Sequence, residues 1–264
     1  MTSRRRRPEQ PELGTEHLQD FALSLSLTTL RARLADLIAW AERDAPSYTD
    51  FTAALLRSEC EAREERRLRR IRKRSNLPPA VEGLDSFNFA IRPSLDARVI
   101  RELQNCRWVE DARNIICVGR PGLGKTRVLE ALAQAACQRG YSVLKVTTAD
   151  MLADLHASLA DSTFRRVFRR YEKPQVLYLE EFGYAGLDLE DTGYLFRLVS
   201  ARYRLRSTLL AANTGFKHWK NFFPSEAHAI ATVDRLIDRA TILRFTGKSM
   251  REPEAIYGAE TDEE

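Results

Sequence analysis

From Phe21 onward the apolar residues recur at steps of three, four or one. Leu23, Leu27, Leu30, Leu34, Leu37 and Ile38 form a single stripe, which predicts a helix. Pro46, Ser47 and Tyr48 break the pattern. Asp50 is placed to cap a second helix, FTAALLRSECEAREERRLRRIRKR, which starts apolar and ends strongly basic. The next stretch, NLPPAVEGLDSFNFAIRPS, has no helical period. It reads as an extended linker whose prolines and two phenylalanines pack along another domain. A short helix is expected from about Leu95 to Cys106. From Arg113 the rhythm alternates: strands NIICVG, SVLKVTT, VLYLEE, STLLAAN and TILRF are separated by helical segments, the first of them closed by Gly140. Five strands interleaved with helices predict an α/β core with a doubly wound, five-stranded parallel sheet, preceded by a small all-α domain.

The boundaries that follow are a basic, disordered tail at 1–20, a helical domain at 21–74, and a linker with a short helix at 75–110. An α/β core at 111–250 and a loose acidic tail at 251–264 complete the chain. No internal repeat is present.

Charge adds a partner to this picture. The 264 residues carry a net charge of +5 with 30% charged side chains, and a basic balance favours an acidic partner, nucleic acid first. The cysteines Cys60, Cys106, Cys117 and Cys137 contain no C-x-x-C pair and no His–Cys cluster, so reduced thiols in a cytoplasmic protein are expected. The N-terminus has charge but no apolar h-region, and no apolar run reaches membrane-spanning length, so no membrane association is expected.

The chemistry lies at the strand ends. GRPGLGKT, Gly119 to Thr126, fits the phosphate-binding pattern G-x-x-x-x-G-K-[ST], and it follows a strand and opens a helix as that mechanism requires. Its backbone amides and the helix N-terminus suit phosphate oxygens. Lys125 is expected on the β- and γ-phosphates of ATP, and Thr126 on Mg2+. The candidate nucleotide-binding residues are Gly119, Arg120, Pro121, Gly122, Leu123, Gly124, Lys125, Thr126 and Arg127.

In a doubly wound sheet, ligands gather at the carboxyl ends of the strands. Glu180 and Glu181 end one such strand. The first is expected to hold the metal or its waters, the second to orient or deprotonate the attacking water. Asn213 ends the next strand and is placed to touch the γ-phosphate or the lytic water, although Asn-Thr-Gly is also turn chemistry. Arg235, in DRLID, suits an arginine finger on a neighbouring subunit's nucleotide; its plain alternative is an intrahelical partner for Asp234 or Asp238, and Arg239 is the other candidate finger.

Three basic clusters compete for nucleic acid. One is RRRR at 4–7. Another is the helix end with Arg66, Arg67, Arg69, Arg70, Arg72 and Lys73. The third is FRRVFRRYEK, in which Arg165, Arg166, Arg169 and Arg170 share one helical face opposite Phe164, Val167, Phe168 and Tyr171. No aromatic–basic alternation suggests base stacking, so the backbone of double-stranded DNA is favoured over a single strand.

These pieces carry a resemblance. The helix ending AREERRLRRIRKR, the segment LDSFNFAIRPSLD and GRPGLGKT, followed in order by LYLEEFGYAGLD, LVSARYRLRSTLLAANTGFKHW and DRLIDRATILRFTGKSMR, resemble the IstB family of insertion-sequence helper ATPases. That family sits with the helicase loader DnaC among AAA+ proteins. The resemblance implies a helical N-terminal domain before an AAA+ P-loop core, ATP-dependent homo-oligomerisation as a ring or helix on duplex DNA, and recruitment of a transposase. It matches Lys125 and Thr126 to the Walker A residues, Glu180 and Glu181 to the Walker B pair, Asn213 to the first sensor and Arg235 to the finger.

Two departures are visible. The family usually has Asp where this chain has Glu180, and the extra methylene moves the carboxylate outward by about 1.5 Å, so slow hydrolysis is expected rather than none. The stretch after Phe245 is also too short for the helical lid of AAA+ proteins at large, so a truncated lid is expected, with Arg251 a candidate second sensor. Two other readings stay open. One is a DnaC-like replicative helicase loader, and the other is an ATP-gated DNA scaffold that hydrolyses very slowly. A small-molecule kinase would need an acceptor pocket and a mobile lid that the sequence does not offer.

Overall fold

The apolar stripe at the start of the chain folds as two helices rather than one. In the computed structural model, which describes residues 14–249, α1 (Thr15–Ser24) and α2 (Thr28–Asp44) are separated by a turn in which Ser26 adopts a left-handed φ of 56°. The first helix starts inside the stretch expected as a disordered tail, and it buries Ala22 while Leu23 of the predicted stripe stays 50% exposed. The third helix, α3 (Tyr48–Arg74), starts earlier than the apolar pattern suggests. Ser47, not Asp50, is its cap: the Ser47 Oγ accepts the Asp50 amide at 3.1 Å and donates to the Asp50 carboxylate at 2.6 Å. The RRRR cluster, Arg251 and the acidic tail lie outside the described residues.

The chain divides into two compact units, the first ending at Arg69 and the second beginning at Arg70, inside α3. In the first unit Ala22, Leu34 and Leu37 are buried, together with the carboxylate of Glu59. Glu59 Oε2 accepts the Thr29 and Leu30 amides at 2.9 and 3.0 Å, which closes the amino end of α2 from a different helix. Its other oxygen takes Arg63 at 2.9 Å and Arg66 at 3.1 Å.

Burial pushes the Glu59 pKa up, but these amides and Arg63 outweigh it, and the group sits below the ordinary carboxylate range. A lowered folded pKa adds stability above the unfolded value, and that stability is lost as pH falls through the folded value. Glu59→Ala is therefore expected to cost about 1–2 kcal/mol at neutral pH, as the loss of a helix cap does, and progressively less in acid. Chemical denaturation of both chains at several pH values, read by helical circular dichroism, checks this.

The second unit carries the sheet. The stretch that reads as a linker is part of its core: Leu77, Leu84, Phe87 and Leu95 are buried, and two short 3-10 turns, Leu84–Ser86 and Phe89–Ile91, shape it. Its prolines and glycine remove the helical period, yet its apolar residues still find a place to bury. Two helices follow, α4 (Ala97–Leu103), capped by Asp96, and α5 (Arg107–Glu110).

The strands are β1 (Ile115–Val118), β2 (Val143–Thr147), β3 (Val176–Phe182), β4 (Ser207–Ala212) and β5 (Thr241–Arg244). All pair in parallel in the order β2-β3-β4-β1-β5. The helices between them are α6 (Lys125–Gln138), α7 (Thr148–Ala160), α8 (Phe164–Glu172), α9 (Leu189–Arg202), the short α10 (Phe216–Trp219) and α11 (Glu226–Ile237).

Strand residues alternate between two cores, as a sheet covered on both faces requires. Ile115, Cys117, Tyr178 and Leu209 pack with Val128, Leu129 and Leu132 of α6. Ile116, Leu177, Leu179 and Leu210 pack with Leu155, Phe168, Leu195 and Leu198 of α7, α8 and α9. No helix among the described residues is long and apolar enough to cross a membrane.

Candidate nucleotide-binding site

Parallel register brings the carboxyl ends of β1, β4 and β5 together, and with them the phosphate loop and Asn213. Val118 pairs with Ala212 on one side and Arg244 on the other, so the chain ends of β1, β4 and β5 emerge together. The Gly119 amide donates to Ala212 O at 3.2 Å, and the Phe245 amide to Val118 O at 2.8 Å. Gly119 cannot carry a side chain here, since a Cβ would lie 2.4 Å from Phe245 O. Gly122 and Gly124 take left-handed φ values of 76° and 90°, so the Gly119–Gly124 loop folds over the amino end of α6.

A cavity of about 570 Å³ opens at this edge, within the usual range of roughly 300–1,000 Å³ for small-ligand sites. Gly119, Arg120 and Leu123 line it from the loop, Asn213, Thr214, Gly215 and His218 from the end of β4 onward, and Phe245, Thr246 and Gly247 from the end of β5. His218 and the Phe245–Gly247 segment were not legible as site residues. Their only sequence signal is position just beyond an apolar strand.

Lys125 is buried, and its Nζ donates to the carbonyls of Gly119 at 2.6 Å and Arg120 at 2.8 Å. The ammonium thus sits inside the loop it must serve. Thr126, in the first turn of α6, and Pro121 are exposed. Arg127 is engaged elsewhere: its guanidinium meets Glu82 at 2.9 Å and Ser86 at 2.7 Å, and lies over the Phe87 ring. A residue missed by the sequence reading, Arg92, is buried and fastens the loop from behind. Its Nε donates to Leu123 O at 3.1 Å and one Nη to Lys248 O at 2.7 Å, joining the phosphate loop to the chain after β5.

The acidic pair is split by backbone conformation. Glu180 continues the alternation of β3 on the same face as Tyr178, whereas Glu181 has a left-handed φ of 56° and forms an irregularity in the β3–β4 pairing. Phe182 therefore returns to the same core as Leu179. Both Glu180 oxygens have partners: Tyr178 OH donates to one at 2.8 Å, and Lys145 Nζ lies 2.9 Å from the other. Lys145 also reaches Glu130 at 2.6 Å. Burial lowers the Lys145 pKa, but the two carboxylates more than offset this and hold it above lysine's ordinary value.

Glu181 is exposed and lines a second cavity, of about 290 Å³, with Thr148, His156 and Asp191. His156 Nε2 hydrogen-bonds Asp191 Oδ1 at 2.7 Å there. Arg235 donates to Ala231 O at 2.7 Å and stacks on Phe196, 4.8 Å from its ring centre. Asp238 is taken by Tyr203 and Arg204, at 2.7 and 2.9 Å. Arg239 is exposed. The donors present suit a hard cation: a threonine hydroxyl at the loop helix and a carboxylate at the end of β3 are oxygen ligands of the kind Mg2+ takes.

The basic clusters differ in what they already hold. Arg66 is bonded to Glu59, Arg67 to Glu64 and Arg69 to Glu65. Arg72 donates to the Leu77 and Pro78 carbonyls, closing the end of α3. Arg70 and Lys73 are exposed. On α8, Arg165, Arg166 and Arg169 are exposed, while Arg170 pairs with Asp154 at 3.1 Å. Phe168 and Tyr171 are buried on the opposite side of α8.

A phosphate loop after β1, flanked by β4 and β5, with an acidic pair ending β3 beyond, is the arrangement of an AAA+ P-loop nucleotide-binding domain. The crystal structure of DnaI shares the fold, with a TM-score of 0.55 and 19% identity over 65% of this chain and 96% of that one. The chain belongs to the family described as IstB-like ATP binding protein, whose model matches residues 21–256. It is 30% identical to the ATP-binding protein of insertion sequence IS5376 of Geobacillus stearothermophilus, covering 89% of this chain and 94% of that protein. It is 31% identical to the IS21 ATP-binding protein of Pseudomonas aeruginosa, covering 86% and 85%.

Proposed function

We propose that the protein is an ATP-hydrolysing helper of transposition that assembles on double-stranded DNA and brings a transposase to its target. The observation that carries this reading is the glycine-built phosphate loop with Lys125 buried inside it, at the head of a ligand-sized cavity, in a chain of the insertion-sequence ATP-binding family. Lys125 exchanges its loop carbonyls for the β- and γ-phosphates, and the loop amides with the start of α6 hold the rest of the phosphate chain. A magnesium ion on the Thr126 hydroxyl and the Glu180 carboxylate would neutralise charge on those phosphates. Glu181 takes the proton of the attacking water, Asn213 orients the γ-phosphate, and Arg235 of one copy serves the nucleotide of the next.

For DNA, the exposed guanidinium groups of Arg165, Arg166 and Arg169 and the side chains of Arg70 and Lys73 supply phosphate contacts. Arg202 supports α8 from beneath, donating to the carbonyls of Glu172 and Pro174 at 2.8 Å each.

The test is steady-state ATP hydrolysis with and without duplex DNA, beside light scattering for assembly. Turnover and scattering that both rise with DNA are expected. Neither assembly nor turnover under any condition would overturn the reading. The engagement of both Glu180 oxygens favours one second reading, an ATP-gated scaffold in which assembly on DNA proceeds with negligible turnover.

A further inference from the structure

Lys145 is the one charged residue in the strand VLKVT, and it is mostly buried, with 17% of its side chain exposed. A lone ammonium in an otherwise apolar strand is costly unless paired. Here it is shared by two carboxylates from different elements. Glu130, on the helix that Lys125 and Thr126 begin, lies 2.6 Å away; Glu180, at the end of β3, lies 2.9 Å away. Both carboxylates are themselves mostly buried, at 15% and 17% exposure. Two carboxylates and one ammonium leave the cluster one positive charge short. The Lys145 Nζ holds the Glu180 oxygen that Tyr178 does not.

We propose that Lys145 is an internal competitor of the divalent cation for Glu180, and so a positioning residue that sets how much metal the site needs. The inference rests on the reading of Glu180 as a metal-binding residue. Without nucleotide, Lys145 neutralises Glu180 and holds its longer side chain toward β2. When Glu180 turns to the metal and phosphates, Lys145 moves onto Glu130, which is already its closer partner. The two ion pairs thus form an exchange relay between the strand that ends in the acidic pair and the helix that follows the phosphate loop. Glutamate at position 180 suits this geometry because its reach spans both arrangements.

The relay predicts opposite shifts from its two ends. Lys145→Met removes the competitor, so the Mg2+ concentration giving half-maximal binding of a fluorescent ATP analogue should fall about tenfold, within the span typical of coupled sites. Glu130→Gln removes the resting place of the ammonium, turns Lys145 wholly onto Glu180, and should raise that concentration. Direct Mn2+ binding to the full chain with nucleotide, read from the loss of the free-ion resonance, should shift in the same two directions. Thermal unfolding monitors the fold of each variant.

An unchanged or raised Mg2+ requirement in folded Lys145→Met would overturn the relay and leave Lys145 a structural ion pair. Should that variant not fold, Glu130→Gln decides alone, because it keeps the Lys145–Glu180 pair, and no rise in its requirement overturns the relay. Glu180→Gln separates the two layers of the argument. If it leaves the Mg2+ requirement of the parent chain unmoved, the metal role of Glu180 fails. If it moves that requirement while Lys145→Met does not, only the relay fails.

Discussion

Lys125→Ala is expected to weaken ATP binding on the order of a hundredfold and to bring hydrolysis to background. The Lys125 ammonium is held by the loop itself. It is buried and donates to the Gly119 and Arg120 carbonyls, so it is already aimed into the loop and loses little conformational freedom on binding phosphate. Alanine removes the charge and the two loop contacts together. A ligand that binds only the folded state raises stability by RT ln(1 + [L]/Kd), about 2.7 kcal/mol at a hundredfold excess over Kd. The parent chain should therefore show a clear upward thermal shift with ATP, and the variant almost none at the same concentration. Lys125→Arg should not rescue binding, because a planar guanidinium does not fit a space shaped for a compact ammonium. A variant that keeps its ATP-induced shift would remove Lys125 from the phosphate site.

Much of this site was legible because its chemistry is local. GRPGLGKT lies within eight residues, and the strand before it and helix after it can be read from apolar pattern alone. The strand ends could be placed for the same reason: a buried run such as VLYL must stop where charge begins. Features fixed by pairing between distant segments were not legible. Nothing in the local pattern says that β1 lies between β4 and β5, and only that order puts Phe245 against Gly119 and Asn213 on the same cavity. Arg92 looks like an ordinary surface arginine in a proline-rich stretch, yet it is buried with three carbonyl partners supplied by Ile91, Leu123 and Lys248.

Misread elements follow the same division. NLPPAVEGLDSFNFAIRPS lacks a period, so it reads as a linker, although its apolar side chains are core. Helix breaks set by a single backbone angle, as at Ser26, are invisible to apolar spacing. Charge clusters were legible as charge but not as commitment. Arg66 and Arg72 stand in a run that looks like a nucleic-acid stripe, while the fold spends the one on Glu59 and the other on the carbonyls after α3. The lone lysine of SVLKVTT was the one overlooked signal with a physical reason behind it, since a charged residue inside a buried strand requires a partner.

Glu181→Gln is expected to lower turnover by about 10²- to 10⁴-fold, the usual worth of a positioned general base, while leaving ATP affinity within about twofold. The two variants thus divide binding from chemistry: Lys125→Ala loses both, and Glu181→Gln only the second. Glutamine keeps the size of the side chain and tolerates the same backbone, so the left-handed conformation at position 181 and the irregularity it creates in β3 should survive. That irregularity is why the test is informative. It turns Glu181 away from the face shared by Tyr178 and Glu180 and into a cavity with Thr148, His156 and Asp191, apart from the cavity that Asn213 lines. In the proposed function the nucleotide takes the cavity that Asn213 lines, and binding of nucleotide, DNA or a second copy then brings Glu181 to the γ-phosphate. Hydrolysis by the parent chain should then rise with DNA, whereas the Glu181→Gln chain should still bind ATP and assemble but stay at its low rate whether or not DNA is added. Rapid-quench measurement of a single turnover, with and without duplex, separates these cases. If the glutamine variant cleaves ATP within threefold of the parent rate in that measurement, Glu181 is not the base, and the proton must leave by another group.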